Sequence, residues 1–137
     1  MEVYTYKKKF ITFIATHNTA LIILFIYIMV KELPYSTLYQ MYIAIGLSLI
    51  CVLITTILST IKFKIILTES TLLEQGIIFK KSLNLDNYFS ILETEGKTLR
   101  IFNTDGTTNI YVSNLIKDRE NLITNLKRKK GFVDLIH

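Results

Sequence analysis

FITFIATHNTALIILFIYIMV, residues 10–30, and LPYSTLYQMYIAIGLSLICVLITTILSTI, residues 33–61, carry no charged side chain and are divided only by Lys31-Glu32. A hydrocarbon layer of about 30 Å needs about 20 helical residues at 1.5 Å each, and both stretches reach that length. A soluble domain built from the rest of a 137-residue chain could hardly enclose two such helices. The expectation is therefore a membrane α-helical hairpin over residues 1–61, followed by a small mainly-β domain over residues 62–137.

Composition points the same way. Mean hydropathy is +0.39, half of the residues are hydrophobic, and the 20% that are charged lie mostly in the second half. Lys7-Lys8-Lys9 reads like the opening of a secretory signal, but the apolar run behind it is too long and no small-x-small cleavage site follows, so the segment is expected to persist. These lysines precede the first span, and Lys62 and Lys64 follow the second, whereas Lys31 in the connecting loop is balanced by Glu32. The positive-inside rule then predicts a multi-pass cell-membrane protein with both termini cytoplasmic. Tyr4 and Tyr6 would mark the inner interface, and Tyr35, Tyr39 and Tyr42 the outer one. Pro34, the single proline, falls in the loop, where it costs no helix a hydrogen bond.

Laid side by side, the two spans bring His17 and Asn18 to the depth of Thr55 and Thr56, with Ser59 one turn nearer the cytoplasm. An ionisable residue inside a membrane often marks a proton or ion path. Here no Asp, Glu or second His accompanies it, and two spans hardly enclose a pore. The five residues read instead as an interhelical polar belt, in which hydroxyls satisfy the imidazole and the carboxamide. Cys51, the only cysteine, sits mid-span as packing. Ala44 and Ser48 flank Gly46 in a small-xxx-small pattern, a hint of a homo-oligomer.

Beyond Ile61 the pattern becomes short β-prone runs punctuated by Gly or polar pairs. Strands are predicted at 62–68, 71–75, 77–83, 88–93, 98–103 and 107–113. Turns fall at Glu69-Ser70, Gly76, 85–87, Glu95-Gly96 and Asp105-Gly106, the last a type I′ signal. The period then changes to that of a helix over 118–130, with Leu115, Ile116, Leu122, Ile123 and Leu126 on one stripe. Asp118 is the expected N-cap, and Gly131 the expected left-handed C′ residue.

The segment KFKIILTESTLLEQGIIFKKSLNLDNYFSILETEGKTLRIFNTDGTTNIYVSNLIKDRENLITNL, residues 62–126, resembles the bacterial pleckstrin-homology-like (PH-like) family found behind paired transmembrane helices. Its marks are a hairpin turning at Gly76, a strand ending in Leu83 and Leu85, a following apolar Ile91, a strand pair around a polar turn, and a closing helix with Leu122 and Leu126. The resemblance implies an open barrel of about six antiparallel strands with a C-terminal helix. It implies fold more than function. Eukaryotic relatives that bind phosphoinositides carry a Lys-x-Arg-type cluster on their first strands, whereas this chain offers Lys62, Lys64, Lys80 and Lys81 without arginine. Those four lysines are candidate contacts for anionic lipid, at about 1 kcal/mol per charge. The plainer account makes them topology signals and solvated faces.

Several classes find little in the residues. His17 lies in a span and His137 is the last residue, no phosphate-cradling Gly-rich loop occurs, and no Cys/His cluster has metal-ligand spacing. No enzyme, metal or cofactor is expected. The net charge of +5 is accounted for by the juxtamembrane lysines and by Lys127 to Lys130, and no aromatic-plus-basic strand face suggests nucleic acid. The partners expected are the lipid bilayer and an unidentified protein. The expected function is a membrane-anchored PH-like interaction module, a scaffold or accessory subunit at the cytoplasmic face. The alternative is an immunity protein against a membrane-active bacteriocin or toxin.

Overall fold

The computed structural model describes residues 1–31, 39–94 and 96–134. The expectations placed on Pro34, Tyr35, Glu95 and His137 lie outside them. Two compact units emerge, one formed by Lys8–Ile61 and the other by Met1–Lys7 together with Lys62–His137. The first seven residues thus belong with the β-rich part, and a cut between 61 and 62 does not separate the units.

The apolar unit consists of α1 (Lys8–Lys31) and α2 (Tyr39–Lys62), each of 24 residues. At 1.5 Å per residue each extends about 36 Å, and both are long and apolar enough to cross a membrane. Their close approach runs through Gly46, which is buried. A Cβ there would come within 2.6 Å of Met29 Sδ on α1. Ala44 and Ser48 are exposed, and the Ser48 hydroxyl donates to Ala44 O on its own helix, 2.8 Å away. The small residue of this stretch therefore serves the hairpin itself.

The second unit contains seven strands among the described residues, in two antiparallel sheets that do not close, and one helix. One sheet has the order β1 (Glu2–Tyr4), β2 (Lys64–Leu67), β3 (Thr71–Gln75), β4 (Lys80–Asn84), and the other β5 (Phe89–Glu93), β6 (Leu99–Asn103), β7 (Asn109–Val112). Helix α3 spans Arg119–Lys127. Strict alternation of inward and outward residues on β2, β3 and β6 supplies the core. Ile65, Leu72, Leu83, Phe89, Ile101 and Ile110 from the sheets meet Leu122 and Leu126 of α3, all inaccessible to solvent.

The expected sixfold set of strands omits β1. Glu2–Tyr4 pairs with β2 in the register Glu2↔Leu67, Val3↔Ile66 and Tyr4↔Ile65. The ring of Tyr4 enters the core, only 4% exposed, while its hydroxyl bonds Glu2 and lies 3.4 Å from Asn125 Nδ2 on α3. Burial and the neighbouring carboxylate push its pKa up to about 12. Tyr6 packs on Phe63 with ring centroids 4.7 Å apart. Two further bonds, Lys117 N–H to Thr5 O and Lys7 N–H to Leu115 O, both 2.8 Å, tie this segment to the chain before α3. The β domain thus takes the Tyr4 ring into its core and half-buries Tyr6.

Local conformation departs from expectation at four connections. Around Asp105-Gly106 only Gly106 has positive φ, at 73°, so the turn is not type I′. Gly106 N–H closes on Asn103 O at 2.9 Å instead, and Asp105 Oδ1 accepts from Thr107 N–H and hydroxyl, which hold its carboxyl below the usual range. In the preceding hairpin Lys97, not Gly96, is left-handed, with φ 55°. Asp118 occupies the N-cap position, also at φ 55°, and makes no side-chain cap bond. Gly131 is not left-handed. A Cβ there would collide with the backbone oxygens of Leu85 and Asn87, where the chain leaving α3 runs beside β5 through Phe89 N–H to Gly131 O and Val133 N–H to Phe89 O.

Two predictions follow from this packing. A fragment of residues 62–137 lacks β1 and leaves β2 an open edge, so it should aggregate or unfold, while a fragment joining Met1–Lys7 to Lys62–His137 through a short Gly-Ser linker should fold; circular dichroism and urea titration distinguish them, and Tyr4→Ala in the linked form should cost about 3 kcal/mol. Gly131→Ala should cost about 1–3 kcal/mol in the same titration, because the opposing groups are backbone and cannot swing away.

Candidate functional site

In the apolar unit the five polar residues behave differently from one another. Asn18 is buried, 6% exposed, and its carboxamide donates across the hairpin to Leu53 O at 3.3 Å. Thr55 and Thr56 donate instead to Cys51 O and Val52 O on their own helix, at 2.8 and 2.9 Å. His17 is exposed and stacks on Phe13, centroids 5.9 Å apart. Ser59 is half-buried. The cross-hairpin contact thus rests on Asn18 and a backbone carbonyl rather than on threonine hydroxyls, because a threonine in a helix finds the carbonyl four residues back without crossing any gap.

In the β unit, strand registers gather the candidate lysines. Lys64 pairs with Gln75, and Gln75 with Lys80, so all three stand abreast at one end of the four-stranded sheet. Lys81 is in the adjacent row, Tyr4↔Ile65↔Glu74↔Lys81. Lys62 lies two residues before Lys64, and Lys7 follows β1 at the same end, its ammonium donating to Asn114 O at 3.0 Å. Antiparallel pairing makes this convergence: β1 ends and β2 begins there, and β3 ends where β4 begins.

The same end carries a feature that sequence reasoning missed. Ile77, Ile78 and Phe79 were expected in a strand, but β4 starts only at Lys80, and the three form the tip of the β3–β4 hairpin. Gly76 N–H to Phe79 O, 2.9 Å, closes that tip. Ile77 and Phe79 are each 45% exposed and Ile78 is 83% exposed. The available signal was the run Ile-Ile-Phe itself, which does not alternate and so cannot put its apolar side chains on one face of a pleated strand.

Behind the lysines lies a strained carboxylate. Glu74 shares its sheet row with fully buried Ile65, is 7% exposed, and has no hydrogen bond to Oε2 among the described residues. Burial raises its pKa, against a smaller opposite pull from Lys81.

On the outer face of the other sheet, Leu92, Arg100 and Tyr111 form one cross-strand row. Leu92 and Tyr111 are about half exposed. Arg100 is held by Nε–H to Asn109 Oδ1 at 2.8 Å and by stacking over Phe102 at 4.9 Å. An ordered arginine between exposed apolar and aromatic side chains is the composition of protein-contact hot spots. Among the described residues no three His, Cys, Asp or Glu side chains converge on a possible metal position.

No family model matches this chain, and neither a curated protein nor a solved structure is significantly similar to it.

The Glu74 environment yields a pH prediction. The unfolded carboxyl ionises near 4.5 and the folded one higher, so between those values the native state holds the extra proton. Stability then falls as pH rises through this window and levels off above the folded value. Glu74→Gln should remove that fall and make the domain more stable than the wild type at neutral pH, as read from urea midpoints between about pH 4 and pH 8.

Proposed function

We propose that the chain is a two-span membrane protein whose β unit is a PH-like open barrel, acting as a scaffold or accessory subunit at the cytoplasmic face of the cell membrane. The observation that carries this reading is the pairing of β1 with β2. A single hydrogen-bonded sheet cannot be divided by a bilayer, so residues 1–7 and the chain from Lys62 onward share one side, as an even number of crossings requires. Lysines at both junctions, with Lys31 and Glu32 cancelling in the loop, support the cytoplasm as that side. The sheet-and-helix arrangement is compatible with the PH-like resemblance, in which the interaction surface, rather than a catalytic centre, is the functional part.

The Leu92–Arg100–Tyr111 row supports protein as the partner class, because its exposed groups suit a packed contact and its arginine is already ordered. Two measurements test the proposal. In a Cys51→Ser background, Ser36→Cys should react with a membrane-impermeant maleimide on intact cells; reaction only after permeabilisation would reverse the orientation. A photoreactive phenylalanine at Tyr111 should cross-link in cells to a discrete protein band, and the band should be lost in Arg100→Glu. Adducts to lipid alone would rule out a protein-binding role for this face.

A further inference from the structure

We infer that the β3–β4 hairpin tip, Ile77-Ile78-Phe79, inserts into the headgroup layer of an anionic membrane and that Lys80 and Lys81 hold it there. This rests on the two-span reading above and deepens it, since it gives the β domain its own hold on the bilayer.

Three consecutive large apolar residues at the solvent-facing end of a hairpin are expensive to leave in water and make no contribution to the domain core. Their position says what covers them. Gln75, the residue before Gly76, is the register partner of Lys64, and Lys64 follows the last residue of α2 by only two positions. Neighbouring strands are about 4.8 Å apart and an extended residue adds at most about 3.5 Å. Chain geometry alone therefore keeps the base of the tip within about 12 Å of Lys62, the last residue of α2. On the two-span reading Lys62 ends a span at the headgroups, so the short connection favours the bilayer over a protein partner as the occupant.

Charge agrees with the same occupant. Lys80 and Lys81 are exposed and follow the tip directly, and Lys64 stands in register across β3 from Lys80. The arrangement has apolar residues leading and ammonium groups just behind, which suits insertion into an interface with anionic lipid at the headgroup level. Lys64, Lys80 and Lys81 have no arginine among them in the sheet rows they share, so the attraction is to negative surface charge and not to one headgroup.

The full-length chain, reconstituted in vesicles of phosphatidylcholine with or without phosphatidylserine, tests this. A fluorophore on native Cys51 reports the spans, and in Cys51→Ser the same label on Ile78→Cys reports the tip. Asp86→Cys, in the loop at the opposite end of the sheet, serves as the aqueous control. Lipids spin-labelled near the headgroup should quench the position-78 label far more than the position-86 label, and lipids spin-labelled deep in the acyl chain should quench the Cys51 label, which lies mid-span. Phosphatidylserine should strengthen the difference, and Lys80→Gln/Lys81→Gln should weaken insertion on the order of tenfold.

Quenching at 78 no greater than at 86, with the Cys51 label still quenched by lipid, overturns the insertion and leaves the spans standing. A Cys51 label that lipid does not quench overturns the two-span reading, and the insertion with it. Quenching at 78 that ignores both phosphatidylserine and the lysine pair overturns the role given to the lysines. Protection of position 78 in native membranes but not in lipid vesicles assigns the tip to a protein and overturns the inference.

Discussion

The β unit depends on a contact between residues separated by two long apolar helices. Glu2, Val3 and Tyr4 stand in antiparallel register with Leu67, Ile66 and Ile65, and the ring of Tyr4 fills core space beside them. The helical hairpin is in effect an insertion into a β-hairpin. Closing a loop of that length costs entropy that grows only logarithmically, so the connection is tolerated provided the strands pair well. Once β1 is paired, both helix junctions leave from one end of one sheet. The convergence of lysines there is a consequence of that geometry as much as of composition.

Around this pairing the domain is stitched by backbone groups more than by ion pairs. Thr5 and Lys7 tie the N-terminal segment to residues 115–117, and Phe89 exchanges bonds with Gly131 and Val133 on either side of Phe132. The ion pairs at Arg119, to Glu93 and Glu120, involve partners more than half exposed and contribute little individually. Unusual backbone conformations are confined to the connections. Lys97 and Asp118 are left-handed where glycine or a capping side chain was expected, while Gly131 is required by the approach of two carbonyls and not by its own φ. Of the buried polar residues described in the domain, Glu74, Ser90 and Asn103, only Glu74 is a carboxylic acid, and its burial works against folding at neutral pH. It shares a sheet row with Lys81, next to the row of Lys64 and Lys80.

What the amino-acid order by itself determined is whatever depends on a local period. Long uncharged runs require helices able to cross a bilayer, alternation between Lys64 and Asn103 marks inward and outward faces, and leucines spaced along 115–126 mark the buried stripe of α3. Tertiary structure decided what local period cannot encode. A three-residue strand at Glu2–Tyr4 has too little pattern to be seen, and acquires its meaning only from Ile65, some sixty residues on. Thr55 and Thr56 are spaced correctly to face Asn18, yet their own helix offers a nearer acceptor. The need for glycine at 131 arises from Leu85 and Asn87, which come close only after β5 and the segment following α3 have packed together. The apolar hairpin tip, likewise, belongs with the lysines because antiparallel register aligns Gln75 with Lys64 and Lys80, a relation between strands that exists only once the sheet has formed.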